Sequence, residues 1–287
     1  MVKYFNYFNS EIRKKMYLID FYYSCDNKGY VLNLIRDRRT SAKLKYGNEI
    51  NSIEFIDFTA QDFNLFFSIC WFINNKQKQS QIKKITLSFD ELKKFIPQNK
   101  IMNLNRFYND IVKFARKLRK ITIDIETNEI TQNGESNSLG KSDFFARETL
   151  VDSKTKTLTI IMGDLVLKAL FNFNYFTKFD LNEFCSIKNK YTKTLFRLLK
   201  QYENVNENPV NGLKNIVMEK QEFLEFMNCP EKYMNNMSMY VDKKILIPAI
   251  DELNKGSQSF KNVSYQKIKE GGMIKKFEIS FQTIKPA

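Results

Sequence analysis

The chain has 287 residues, enough for one large domain or two small ones with a real core in each. Its 46 Lys and Arg against 32 Asp and Glu give a net charge of +14, which indicates an anionic partner. The absence of histidine excludes Ser-His-Asp and Cys-His catalysis and His-ligated zinc, whereas metal sites made of carboxylates alone remain possible. Nucleic acid is the commonest anionic partner, an acidic membrane surface is the main rival, and a lysine-rich coding bias accounts for part of the excess.

Targeting and cysteine signals are weak. No apolar run approaches the roughly 20 residues of a transmembrane helix, and the opening stretch mixes aromatic and charged residues, unlike a secretory signal. The four cysteines stand far apart and form no C-x-x-C pair, which argues against a zinc ribbon and a redox motif. We expect a cytoplasmic protein with no metal, no other cofactor and no membrane partner.

Residues 1–47 are expected to form an N-terminal extension. Tyr17–Tyr23 and Tyr30–Ile35 have the composition of two strands around a turn-rich Asp-Asn-Lys-Gly tetrapeptide. The cations that follow are either a basic arm that touches phosphates or a solvated linker. They are Arg36, Arg38, Arg39, Lys43 and Lys45.

A first domain is predicted over residues 48–176. Thr59 is placed to cap a helix whose aromatic face runs from Phe63 to Trp71. A short strand around Ile85–Leu87 follows, and Ser88 then precedes a brief helix that stops before Pro97.

The next predicted helix, Asn105–Lys120, has one apolar face and one cationic face. Apolar residues recur at helical spacing from Phe107 to Leu118. No acidic residue interrupts the chain from Ile111 to Ile123, whereas ordinary exposed helices mix both signs and gain from i,i+4 pairs. This favours DNA contact over a merely solvated face. The candidate contacts are Asn105, Arg106, Lys113, Arg116, Lys117 and Lys120.

Strands Ile121–Glu126, Phe144–Val151 and Thr157–Met162 are predicted to form a wing with a long polar tip. The tip contains a Gly-rich stretch, Gly134–Ser142, that is close to a phosphate-binding P-loop. A P-loop needs four residues between its glycines and a helix beginning at the Lys-Ser pair, whereas here there are five and a β-like run follows. We therefore reject a nucleotide site. A short helix, Asp164–Phe173, completes the first domain.

A second domain is predicted over residues 177–287 and is expected to be the main sequence-reading module. It begins with one long amphipathic helix, Glu183–Tyr202. A strand at Ile216–Met218 and a short helix, Lys220–Met227, then lead to Pro230.

The segment Met237–Asn254 is the predicted recognition helix of the second domain. Ser238 is placed at its N-cap, and an apolar stripe recurs every four residues from Val241 to Leu253. Met237 and Met239 are expected to pack rather than contact bases. A hairpin of Val263–Ile268 and Lys276–Phe281, joined through Gly271-Gly272, follows with lysines around its tip.

The two halves repeat the same order of elements. Each has a long helix, a short strand, a brief helix halted before proline, a longer helix with a basic side, and a hairpin. The predicted fold class is α+β: two pseudo-symmetric winged-helix domains, each a helix-turn-helix with a β-hairpin wing.

Several segments together resemble one family. They are NEINSIEFIDFTAQDFNLFFSICWFINNK, FTKFDLNEFCSIKNKYTKTLFRLLKQY, MSMYVDKKILIPAIDELNK and KIKEGGMIKKFEISF, which lie in order between Asn48 and Phe281. These are similar to the initiator Rep proteins of theta-replicating, iteron-containing plasmids. Two features depart from the family pattern: Pro248 lies within the recognition helix and should kink it away from the groove, and the wing tip carries Gly-Gly where many relatives have an arginine.

The resemblance implies a replication initiator without enzymatic activity. Such initiators bind direct repeats in double-stranded DNA at the plasmid origin as monomers. As homodimers, held largely through the first domain, many bind an inverted-repeat operator and repress their own gene. They also open an AT-rich region and recruit host replication proteins, the helicase and the host initiator.

Candidate DNA-binding residues of the second domain fall into three groups. Amides and hydroxyls at the start of the recognition helix would read bases, since Asn pairs with adenine edges: Asn235, Asn236, Ser238 and Tyr240. Phosphate contacts are expected from Lys190, Lys193, Arg197, Lys243 and Lys244. The wing would add Lys269, Lys275 and Lys276.

Two other functions compete with this prediction. A dedicated winged-helix transcriptional repressor would bind an operator without supporting replication. A metal-dependent DNA-nicking enzyme would use tyrosines and carboxylates, although the missing histidines disfavour it.

Overall fold

The computed structural model describes residues 22–24, 31–33, 42–76, 83–96, 103–130, 136–171, 173–234 and 237–284. Contacts divide the chain into two units, Met1–Ser41 and Ala42–Ala287. In the first unit, β1 (Tyr22–Ser24) pairs antiparallel with β2 (Val31–Asn33), which confirms that two strands form there over shorter ranges than predicted.

The second unit begins with β3, so it starts earlier than the predicted first domain; the division at residue 176 stays a prediction. Its first half contains β3 (Lys43–Gly47), a 3-10 turn (Asn48–Ser52), α1 (Ala60–Lys76), β4 (Lys84–Ser88), α2 (Phe89–Lys93), α3 (Leu104–Leu118), β5 (Thr122–Ile130), β6 (Ser136–Phe144), β7 (Ala146–Asp152), β8 (Thr157–Met162) and α4 (Asp164–Phe171).

The second half continues without a break in the unit. It contains β9 (Phe176–Asp180), α5 (Leu181–Ser186), α6 (Lys190–Gln201), β10 (Lys214–Glu219), α7 (Lys220–Phe226), α8 (Glu231–Met234), a π-helical segment (Met237–Leu246), α9 (Ile247–Gly256), β11 (Phe260–Glu270) and β12 (Met273–Thr283).

Two three-stranded antiparallel sheets have the same strand order. The first is β4-β8-β7 and the second is β10-β12-β11, so in each the last strand of the wing lies between the other two. Each first strand runs directly into a short helix, α2 or α7. This shared topology confirms two winged-helix domains.

Local capping explains where the first helices begin. Thr59 and Asp62 form a reciprocal cap at α1: the Asp62 amide donates to the Thr59 Oγ1, and the Thr59 amide donates to the Asp62 carboxylate. Ser88 and Glu91 form the same box at α2. The predicted cap at Thr59 is therefore confirmed, and Ser88 caps the brief helix that it was predicted to precede.

An aromatic core joins the two halves. Phe67 of α1 is fully buried and lies 5.0 Å, ring centroid to centroid, from Phe184 of α5. Phe184 in turn contacts Phe196 of α6 at 6.0 Å. In the described part of the chain, no helix has both the length and the apolarity that spanning a bilayer requires.

The structure corrects two predicted elements and confirms the rejection of one motif. The predicted helix Glu183–Tyr202 is two helices, because Ile187 is extended and Asn189 starts a new helix by accepting the Tyr191 amide. The polar stretch predicted as the tip of the first wing contains β6, which pairs with β5 as a separate hairpin, while β7 and β8 form the wing. Because Lys141 and Ser142 lie in a strand, the rejection of the P-loop is confirmed.

Candidate nucleic-acid interface

The cationic face of α3 borders an open groove. Asn103 caps the helix by accepting the Asn105 amide at 2.8 Å, and its apolar stripe is buried, so the polar residues are turned outward. The groove has a volume of about 560 Å³ and lies between α3 and the first turn of α1. Its lining includes Arg106, Lys113, Arg116 and Lys117, together with Asp62 and Asp110. Asn105 and Lys120 are exposed on the same helix and just beyond its end.

Lys117 differs from its neighbours because it already has partners. Its Nζ lies 2.8 Å from the Asp62 carboxylate and donates to the Asp57 carbonyl at 2.6 Å. Since Asp62 also caps α1, Lys117 fixes the wall of the groove. By contrast, Arg106, Lys113 and Arg116 are exposed and have no ion pair in the described residues.

We expect the variants Arg116→Ala and Lys117→Ala to distinguish a residue that contacts DNA from one that stabilises the fold. Loss of a phosphate contact at Arg116 should weaken binding to all duplexes and lower the slope of log affinity against log salt by about one. Loss of Lys117 should leave that slope unchanged and lower the melting temperature instead. Fluorescence anisotropy at several salt concentrations and thermal unfolding measure the two effects. Equal slopes in both variants would contradict this assignment.

The π-helical segment is the first part of the predicted recognition helix of the second domain. Val241 and Ile245 are fully buried, whereas Lys243 and Lys244 are exposed. The Tyr240 ring stacks on Tyr233 at 5.0 Å with an interplanar angle of 6°. The Lys244 Nζ lies 4.8 Å from the Tyr240 centroid, within the range of a cation–π contact. Tyr240 is thus held in one orientation beside an exposed cation.

Pro248 marks a change of helical winding. It stands at the second position of α9, directly after the π-helical segment ends at Leu246. Proline has no N–H and its ring clashes with the carbonyl four residues earlier, so regular α-helical bonding cannot cross this point. The π-helical segment begins at Met237, so Ser238 lies inside it and not at its N-cap. Asn235 and Asn236 lie outside the described residues, and Met239, predicted to pack, is 51% exposed.

The second wing has the predicted hairpin. Gly271 and Gly272 adopt φ values of 58° and 79°, which a tight two-residue hairpin turn of the primed type requires. Lys269 and Lys275 are exposed on either side of this turn. Lys276 is engaged by Glu219 at 2.9 Å, and this contact raises the pKa of Lys276.

An unforeseen ion pair ties the wing to the recognition helix. Lys267 on β11 bonds to Asp242 in the π-helical segment. Burial, with the Asp242 carboxylate nearby, raises the pKa of Tyr265 to about 12. Lys267 and Asp242 are 25 positions apart, so their pairing leaves no local signal in the sequence.

Two predicted phosphate contacts on α6 are corrected. Lys193 is fully buried and donates to the Phe184 carbonyl, and Arg197 is only 1% exposed. Phosphates in solvent therefore have no access to either cation. Both faces of α6 are covered, one by the first half and the other by α9, so the charges predicted to face solvent face the interior. Lys190, at the start of the helix, is partly exposed.

Buried and half-buried carboxylates hold the end of α9 against α5 and α6. Glu183 is 8% exposed and accepts hydrogen bonds from the amides of Gln258 and Ser259 at 2.8 and 3.0 Å. It also accepts from the hydroxyls of Ser257 and Ser259. Glu252 accepts the Lys188 amide at 2.6 Å. These contacts set the position of the recognition helix.

Comparison with known protein families shows which family has this architecture. Residues 43–200 match the family model described as Initiator Replication protein, WH1, and residues 219–281 match Initiator Rep protein, WH2. The chain belongs to the initiator Rep protein family. The resemblance read from the sequence is therefore confirmed.

Two relatives place this Rep protein among solved and curated proteins. A probable replication protein rep of Bifidobacterium longum (strain NCC 2705) is 21% identical over 209 residues, which covers 73% of this chain and 63% of the relative. The crystal structure of Pi initiator protein in complex with iteron DNA is 14% identical, with a TM-score of 0.58. That match covers 86% of this chain and all of the Pi chain, and it shows a shared fold.

We predict that Glu183→Gln destabilises this Rep protein by about 1–3 kcal/mol, because the amide NH₂ replaces one acceptor and faces donors that stay buried. Urea unfolding followed by far-UV circular dichroism measures the change. Glu222→Gln, at an exposed site on α7, is the matched control and should be nearly neutral. Equal stability of the two variants would show that the Glu183 contacts do not hold the helix.

Proposed function

We propose that this protein is a plasmid replication initiator that binds repeated duplex sites at its origin. One observation carries the proposal: both halves of this Rep family chain have the same winged-helix topology, and each exposes cations on a helix, α3 in the first half and the π-helical segment in the second. The Pi initiator protein, which shares this fold, was crystallised in complex with iteron DNA. By analogy, direct repeats are the proposed ligand here.

In this proposal, one set of residues fixes the position of the protein on the duplex and another set recognises the base sequence. Exposed cations of α3, the π-helical segment and the second wing contact phosphates, which fix register but read no sequence. Bases are read at the start of the second recognition helix, by Asn235, Asn236, Ser238 and Tyr240. Modules in successive major grooves stand about ten base pairs apart, so a site of roughly two helical turns is expected.

Three further properties belong to the proposed initiator. As a homodimer the protein binds an inverted repeat and represses its own gene. At the origin it recruits the host helicase and initiator. It performs no catalysis, and the absence of histidine supports this because His-dependent catalysis and His-ligated zinc are excluded.

Replication from a clone tests this function directly. The coding region with its natural flanks is placed in a plasmid that lacks an origin, and transformants are counted. Colonies that depend on an intact gene support the proposal. A protein that binds the flanking DNA without yielding colonies is a repressor, and nicked circles after incubation with supercoiled plasmid and magnesium would identify an enzyme.

A further inference from the structure

Arg197 lies at the centre of the contact between the two halves. Its guanidinium sits over the Phe55 ring of the first half at 4.7 Å and 5.7 Å from the Phe226 ring of α7. The Nε donates to the Asn51 side-chain oxygen at 3.1 Å, and Nη2 donates to the Asn51 carbonyl at 3.3 Å. One side chain on α6 therefore contacts both winged-helix domains.

Asn51 extends this contact into a buried polar network. Its side-chain oxygen also accepts from the Tyr46 hydroxyl at 3.0 Å. Its NH₂ donates to Thr177 on β9 at 2.8 Å and to Gln201 at the end of α6 at 2.9 Å. Thr177 donates onward to Asn48 at 2.8 Å. The network thus joins β3, the 3-10 turn, β9 and α6.

Stability alone does not explain a cation here. Arg197 has no acidic partner among the described residues, its Nη1 has no hydrogen bond, and burial lowers its pKa. Replacing buried ionic groups by packed apolar side chains is often neutral or stabilising. An apolar residue in place of Arg197 would make no directional bonds. The hydrogen bonds to Asn51, by contrast, are satisfied in only one placement of α6.

The placement of α6 is transmitted to the DNA-reading helix. Phe196 of α6 contacts Phe260 at the start of β11 at 5.5 Å. Glu252 of α9 holds the turn just before α6 through the Lys188 amide. A rotation of α6 against the first half would therefore carry the recognition helix with it.

We propose that Arg197 is a positioning residue that fixes the angle and spacing between the two winged-helix domains, and so the spacing at which they meet successive grooves. This inference rests on the proposed binding of one duplex by both domains. It assigns a buried arginine to site selection without any contact to DNA.

The first test measures geometry without DNA. Spin labels are attached through an unnatural amino acid at positions 116 and 243, one in each domain, and their distance distribution is recorded in unmodified and Arg197→Met backgrounds. A distribution that broadens or shifts in Arg197→Met supports the proposal. Arg119→Met, which removes an exposed arginine, is the control and should leave the distribution unchanged. The same narrow distribution in Arg197→Met overturns the proposal.

The second test measures spacing on DNA. The unmodified protein selects a duplex from a randomised library, and one base pair is then inserted between the two contacted grooves, which turns one groove by about 35°. The unmodified protein should lose on the order of 100-fold in affinity, because both domains no longer bind together. Arg197→Met should lose less than about tenfold. Equal losses would overturn the proposal.

A milder variant covers the case in which Arg197→Met does not fold. Thr177→Val keeps the shape of the side chain and removes its bonds with Asn51 and Asn48. It should change both readouts in the same direction by a smaller amount, and no change in either would overturn the proposal. If the unmodified protein selects no duplex, the proposed function fails while the distance measurement still decides the role of Arg197.

Discussion

Affinity for the selected duplex should fall on the order of 10³-fold or more between about 50 and 200 mM salt, because six to ten neutralised phosphates give that dependence. The structure leaves eight of the proposed cationic contacts exposed: Arg106, Lys113, Arg116, Lys120, Lys243, Lys244, Lys269 and Lys275. These eight cations set the expected slope. The buried cations on α6 do not contribute to it.

Charge-reversal variants test which surface of the protein causes the salt dependence of its DNA affinity. Lys113→Glu combined with Arg116→Glu should lower the slope by about two and weaken all duplexes alike. Lys154→Glu with Lys156→Glu, at the exposed turn of the first wing, is the matched control for the change in net charge. A slope near zero for the unmodified protein, or the same loss in both double variants, would contradict a DNA surface on α3. Binding to anionic vesicles with an equal salt dependence would favour the membrane alternative.

Much of the fold was accessible from local signals. Thr59 and Ser88 are residue types that favour the start of a helix, and both cap one here. The Gly271-Gly272 pair predicts a hairpin because the turn needs two consecutive residues with positive φ. The stripe on α3 was also predictable, since its apolar positions are all buried. These features depend on neighbours in sequence, so a single sequence reveals them.

Features that depend on tertiary contact were not accessible. Lys193 and Arg197 read as outward-facing cations because a single amphipathic helix normally has one solvated face. Here α6 is packed on both sides, so its polar face is interior. The sequence likewise gave no sign that Lys117 is paired, because its partner Asp62 lies 55 positions away. The sequence identified a cationic helix, and the structure shows which of its cations are exposed and which one, Lys117, is bonded within the protein.

Two features of the backbone, the π-helical segment and strand β6, were also not predicted from the sequence. The kink expected at Pro248 stays a prediction, whereas the π-helical segment that ends just before α9 was not predicted from the sequence. Strand β6 has glycine and serine where strands usually carry β-branched residues. Its pairing with β5 supplies what its composition does not.

Phe67→Ala should destabilise the protein by about 3–5 kcal/mol, the range for removing a large buried aromatic side chain. Phe67 is fully buried and lies 5.5 Å from Tyr46, 5.7 Å from Phe179 and 5.0 Å from Phe184, ring centroid to centroid. It therefore packs against β3, β9 and α5 at once. Because the surrounding rings are rigid, the site collapses poorly and the cavity term is retained.

Chemical denaturation measures this loss, with Phe144→Ala as the control. Phe144 is 51% exposed at the end of β6, so its removal should cost about 0.5 kcal/mol or less. The Phe67→Ala cavity also removes a ring 5.4 Å from the Arg197 guanidinium. The distance between labels at positions 116 and 243 should therefore broaden in Phe67→Ala under conditions where the protein is still folded. A stable Phe67→Ala protein with a narrow distribution would show that the aromatic core does not join the two domains.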